Sequence, residues 1–164
     1  MDVFRGLLHD LPDAGPADGG ATHPALLDRA DGWAVGPLVV GDERLSGLPD
    51  DVAVSVRVGG GAGAQLSVLV EADLPFKVTG LGADPFGPYG VVGVLMAVAV
   101  LVDGADPSEA DALLHEVDEH RATVALGAWD EATAARVRRR LRGVDCADVA
   151  GTLDRLGAAG LLAG

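Results

Sequence analysis

Lys77 is the only lysine in a chain that otherwise uses arginine for its permanent cations. It lies in Pro75-Phe76-Lys77-Val78-Thr79, where alternation puts Phe76 and Val78 on one strand face and Lys77 and Thr79 on the other. Upstream, Val52, Val54, Val56 and Val58 alternate with Ala53, Ser55 and Arg57 in the same way. If the apolar faces pack on helices, Arg57, Ser55, Lys77 and Thr79 share the interior side. Both cations then stand near the carboxyl ends of neighbouring strands, where α/β proteins bind their ligands. A lysine there could be a Schiff-base nucleophile once burial lowers its pKa, which makes Lys77 the candidate catalytic residue. An ion pair with Glu71, Asp73 or Asp84 is the simpler reading of the same side chain.

Gly59-Gly60-Gly61-Ala62-Gly63 follows the first of these strands directly. Backbone N–H groups of such a loop, at a helix start, can hold a phosphate or carboxylate. Arg57, Gly59, Gly60, Gly61, Gly63 and Thr79 therefore form a candidate anion-binding set. The competing reading is a tight strand-to-helix turn that needs glycine for its backbone angles. Gly59–Ala64 also fits the G-x-G-x-x-A dinucleotide pattern, but the next strand carries Lys77 and Thr79 where a ribose-binding acid belongs. No nucleotide cofactor is expected.

Other reactive residues form no constellation. His9, His23, His115 and His120 are scattered, and the spacing of the last two does not place both on one helix face. Cys146 is the lone cysteine, which rules out an intrachain disulfide and a cysteine-based zinc site. It reads as structural, at the start of a last helix. The serines lack a nucleophile-elbow context. No metal or other cofactor is implied.

The net charge of −13 argues against nucleic acid or an anionic membrane as partner. Residues 1–120 hold 20 acids and 5 bases, whereas residues 121–164 hold 5 acids and 7 bases. The opening residues lack the apolar run of a signal peptide. A helix over 88–103 would reach only about 24 Å, short of a bilayer core. The chain therefore reads as cytoplasmic, and its 164 residues as a single α/β domain.

The elements that must position these residues can be read in order. Residues 1–9 suggest a short helix, residues 10–24 a flexible loop, and His23–Ala30 another short helix. Trp33–Val40, Val52–Val58 and the segment after Pro75 read as strands, with a helix over Gln65–Leu74 between the last two. Pro88–Val102 is a helix apolar almost all round, which demands burial on several sides. Asp106-Pro107-Ser108-Glu109 opens another helix with a cap, a first-turn proline and a capping-box acid. Thr123–Leu126 suits a short strand or a linker. Asp130–Arg142 reads as a helix, and Asp145–Leu156 as the last one, capped by Asp145. Strands alternating with helices predict a largely parallel sheet of three or four strands. The fold class is thus α/β, a partial βα-barrel or a small open sheet, several strands short of a full barrel.

Several of these pieces resemble a family of considerably longer bacterial proteins, uncharacterised, that read as βα-barrels. Phe4-Arg5-Gly6-Leu7 is similar to the family's opening, Val35-Gly36-Pro37-Leu38-Val39-Val40 to its VGP strand, and Val54–Ala64 to its strand and GGAGA loop. Pro75–Thr79 resembles its PFK-x-T strand, and Cys146–Leu162 its last helix and GLL ending. Where that family tends to carry a His pair, this chain has Gly82-Ala83. Where the family's next helix opens on His-Gly-Phe-Leu-Asn, this one has Tyr89-Gly90-Val91-Val92-Gly93. The resemblance implies a shortened barrel relative that has lost the original chemistry.

The functional expectation is a non-catalytic, barrel-derived α/β protein acting as a self-associating binding or assembly subunit, with a small anion as possible ligand. A homodimer through the 88–102 helix is expected, because three or four strands in one chain should not enclose so apolar a helix. The alternative is a lyase or isomerase acting on an anionic carbonyl substrate through Lys77 and Arg57.

Overall fold

The computed structural model describes residues 3–4, 7–10, 33–35, 53–146 and 148–162. Five strands form one open, parallel sheet: β1 (Leu8–Asp10), β2 (Trp33–Val35), β3 (Ala53–Arg57), β4 (Phe76–Thr79) and β5 (Leu141–Cys146). Six helices accompany them among the described residues: α1 (Ala62–Glu71), α2 (Val91–Val102), α3 (Pro107–His115), α4 (Glu119–Gly127), α5 (Glu131–Arg140) and α6 (Val149–Ala158). The spatial strand order is β1-β5-β4-β3-β2. The last strand thus returns beside the first, and among the described strands β1 and β2 do not pair.

Capping chemistry marks four of the helix starts. Asp106, Asp118, Asp130 and Asp148 each stand just outside a helix and accept a backbone N–H of its first turn. The start expected at Asp106-Pro107 is the start of α3. Elsewhere the elements differ from the sequence reading. Leu8 and His9 belong to a strand, because they pair with Val144 and Asp145 of β5. Thr123–Leu126 lies inside α4, begun by the Asp118 cap. The arginine-rich helix ends at Arg140, and the next six residues are β5. Asp145 is therefore a strand residue, and Asp148 caps the last helix instead. The loop expected over 10–24 begins on a strand residue, since Asp10 ends β1 and pairs with Cys146, and the rest of it, the helix at His23–Ala30 and the VGP strand beyond Val35 lie outside the described residues.

The α2 helix is the centre of the core. Val91, Val92, Gly93, Val94, Leu95, Ala97, Val98 and Leu101 are all buried within this one chain. α1, α3, α5 and β5 pack around it. At roughly 1.5–3 kcal/mol for each large apolar side chain withdrawn from water, this helix is a principal source of stability. Gly93 permits the approach of α3, since a Cβ there would lie 2.8 Å from the Leu113 carbonyl oxygen. The premise that one chain could not enclose this helix does not hold, because its enclosure comes from four neighbouring helices and strands rather than from the sheet alone.

Candidate functional site

The register across β3, β4 and β5 settles which side chains share a face. Val54 pairs with Phe76, Ser55 with Lys77, Val56 with Val78 and Arg57 with Thr79. Val56, Phe76 and Val78 are fully buried and join the core with the side chains of α1 and α2. Lys77 and Thr79 project from the other face by strand alternation, and they are buried too.

Lys77 is paired. Its Nζ stands 2.6 Å from Asp145 Oδ1, with the two side chains 9% and 4% exposed. The contact is a close charge pair without hydrogen-bond alignment at that oxygen. None of the three carboxylates suggested by the sequence is this partner. Asp73 is gripped by Arg139 at 2.7 Å and by Arg140 at 3.5 Å, while Asp84 accepts the backbone N–H of Phe86. Asp145 reaches Lys77 because of an irregularity in β5. Leu141 pairs with Phe76, but Gly143 pairs with Lys77, so the register shifts around Arg142. Leu141 before that shift and Val144 beyond it are buried, and Arg142 is exposed at it. The shift brings Gly143 and Asp145 onto the parity of Lys77 and Thr79.

Thr79 is one step further toward the carboxyl end and 8% exposed. Its hydroxyl has no hydrogen-bond partner among the described residues. Its carbonyl accepts from Val58 N–H at 3.0 Å, which extends the β3–β4 ladder to the edge of the glycine loop. Arg57, paired with Thr79, is exposed, and its stem runs over Gly80, where a Cβ would lie 3.1 Å from Arg57 Cγ. The structure thus gathers Lys77, Thr79 and Asp145 into a dry cluster and leaves Arg57 in water at its margin.

The glycines divide by role. Gly61 has φ +82° and makes the turn into α1. A Cβ added at Gly59, Gly60 or Gly61 would meet nothing within 4 Å, so this side of the loop is open. Gly63 faces inward instead. Its N–H donates to Asp111 Oδ1 at 2.8 Å, and a Cβ would lie 2.5 Å from the Pro107 carbonyl oxygen. A carboxylate of the chain itself therefore occupies this N–H in the first turn of α1 and ties α1 to α3.

The segment after β4 is held firmly. Gly82 N–H donates to the Tyr89 carbonyl at 2.9 Å, and Tyr89 N–H to that of Leu114 at 2.7 Å. Arg155 of α6 lies over the Phe86 ring, 4.9 Å from its centre. Glu119 of α4 takes both ends of that guanidinium, at 3.0 and 2.6 Å. Hydrogen bonding to Arg155 holds the Glu119 carboxyl below the usual carboxylate range, and Glu119 raises Arg155 in return.

Among the described residues no group of three His, Cys, Asp or Glu comes together as a metal site. Likewise no described helix is long and apolar enough to cross a membrane. Cys146 ends β5 and is buried, not exposed at a helix start. Sequence reading missed Asp145, Asp111 and the Glu119–Arg155 pair, all of which depend on long-range contacts. The one local signal was the apolar Leu141, Val144 and Cys146, which breaks the period of two at the register shift. The chain matches no protein-family model, no curated protein and no solved structure.

Proposed function

We propose that this chain is a non-catalytic, barrel-derived α/β protein of the bacterial cytoplasm that binds a small anion and self-associates. The observation that carries this reading is the Lys77–Asp145 pair. Asp145 holds the Lys77 Nζ at 2.6 Å inside the fold, whereas a Schiff-base nucleophile must present its amine to a substrate carbonyl. The charge of Lys77 is spent inside the fold. Anion binding then falls to Arg57 and the open side of Gly59–Gly61, at the carboxyl ends of β3 and β4, while the Thr79 hydroxyl is buried behind them. Gly63 drops out of that set because Asp111 already takes its N–H. Self-association as a two-fold pair finds its support in the edge positions of β1 and β2, whose outer sides pair with no other strand among the described residues.

Titration calorimetry with inorganic phosphate and with small carboxylates tests the binding claim. Heat of binding that disappears in Arg57→Ala is the expected result, and no heat with any of these anions defeats it. A second reading, a lyase or isomerase using Lys77, is favoured by one observation: a buried Thr79 hydroxyl, on the face of Lys77, without a partner among the described residues. Borohydride reduction in the presence of aldehydes and keto acids, followed by intact mass, separates the two. A covalent adduct on Lys77 overturns the non-catalytic reading.

A further inference from the structure

A groove of about 500 Å³ lies between α2, α3 and α4, away from the strand ends. Met96, Leu113 and Val117 supply its apolar walls, and the small Ala112, Ala122 and Ala125 give it depth. Glu116, Asp118 and Arg121 complete the lining. Beside it stands Val124, 60% exposed, the most exposed large apolar side chain among the described residues. Val124 adjoins Ala125 in sequence and lies one helical turn from Arg121, so it projects next to the groove rather than into it.

We infer that this groove receives α4 of a second copy of the chain, related by a two-fold axis, with Val124 of each copy seated in the groove of the other. A hole and an adjacent knob on one surface satisfy each other under two-fold rotation, the arrangement of an isologous interface. The charges fit the same occupant. Glu116 and Arg121 are both exposed, and neither forms an ion pair within the chain among the described residues. Two-fold pairing brings Arg121 of one copy toward Glu116 of the other. On a chain of net charge −13, the groove lining holds two acids and one base; Asp118 is engaged as the α4 cap, which leaves Glu116 and Arg121 as the opposite charges that a second copy can pair. The inference rests on the self-association part of the reading above, and it moves the contact from the sheet edges to α4. It does not involve the anion site.

Light scattering across micromolar to sub-millimolar concentration is the test, with the fold of each variant checked by far-UV circular dichroism. The wild-type chain is expected to show a dimer mass. Val124→Asp should weaken that dimer at least about tenfold, as an unpaired charge is forced into the groove. Arg121→Glu and Glu116→Arg should each weaken it, and the double reversal should restore it, a recovery that a merely structural effect would not produce. A dimer unmoved by Val124→Asp overturns the α4 interface while leaving self-association standing. A monomer at every concentration overturns both. Val124 is exposed, so loss of fold in Val124→Asp is not expected; should it occur, the charge-reversal pair decides alone.

Discussion

Phe76 and Val78 on one face of β4, and Lys77 and Thr79 on the other, are all withdrawn from water. The first pair is held by the apolar packing of α1 and α2. The second is held by a charge pair and includes a hydroxyl that no described residue satisfies. Equal burial therefore hides unequal energetics. On the apolar face every buried atom adds to stability. On the polar face stability depends on both partners being present, and burial of the charges is itself a cost.

The largest expected effects test this contrast directly. Asp145→Ala should cost about 3–5 kcal/mol, because Lys77 would lose its carboxylate neighbour in a buried setting. Lys77→Met combined with Asp145→Leu should recover most of that loss or exceed the wild type, since apolar replacement of a buried pair is often neutral or better. Phe76→Ala should also cost about 3–5 kcal/mol, as a cavity left in the apolar layer. Denaturant unfolding reads all of these. If the double variant is as weak as Asp145→Ala, the pair is not the source of the cost.

A mirror-image exchange of similar shapes gives a smaller effect. Val78→Thr puts a hydroxyl into the apolar face and should destabilise by about 1–3 kcal/mol. Thr79→Val removes an unsatisfied hydroxyl and should stabilise by about 1 kcal/mol. A loss in Thr79→Val would mean that the hydroxyl has a partner in the folded chain. The smallest effect concerns the exposed counterpart of the buried pair, Glu119 with Arg155. The Glu119 carboxyl titrates below its ordinary value of 4.5 in the folded chain. Its contribution is thus present above that value and is lost as pH falls through the lower folded one. Arg155→Ala should lower the melting temperature slightly at neutral pH, and the difference from wild type should shrink in acid to what the contact of Arg155 with the Phe86 ring contributes.

How much of this was legible in the sequence follows the same division. The apolar face was, since Val56, Phe76 and Val78 alternate strictly and a period of two is a local property. Lys77 and Thr79 were placed on a common face by that argument, and the α3 cap at Asp106 was legible from the local Asp-Pro-Ser-Glu pattern. The partner of Lys77 was not. Asp145 follows the register shift at Arg142, where spacing no longer reports which face a residue occupies. Aspartate before an apolar run also resembles a helix cap, and only pairing with β1 and β4 makes it a strand. The Gly63–Asp111 contact spans 48 positions, a separation at which no pattern in one sequence links two residues. Likewise, the burial of α2 depends on α3 and α5, whose assembly around it is a tertiary fact.

The pairing of the first strand with the last also bears on how the polypeptide is made. β1 emerges from the ribosome before β2, β3 and β4, yet its hydrogen-bonded neighbour in the sheet, β5, is translated after all of them. The contact that braces this joint, Arg138 Nη1 to the carbonyl oxygen of Val3, spans 135 positions. Until β5 arrives, β1 is an unpaired edge tethered to a folding body, and closing so wide a loop comes late and slowly. A chain stalled before Leu141 would expose that edge to its neighbours on a polysome, whereas β3, α1 and β4 can already have formed. Birth order and folding order are reversed at this one seam.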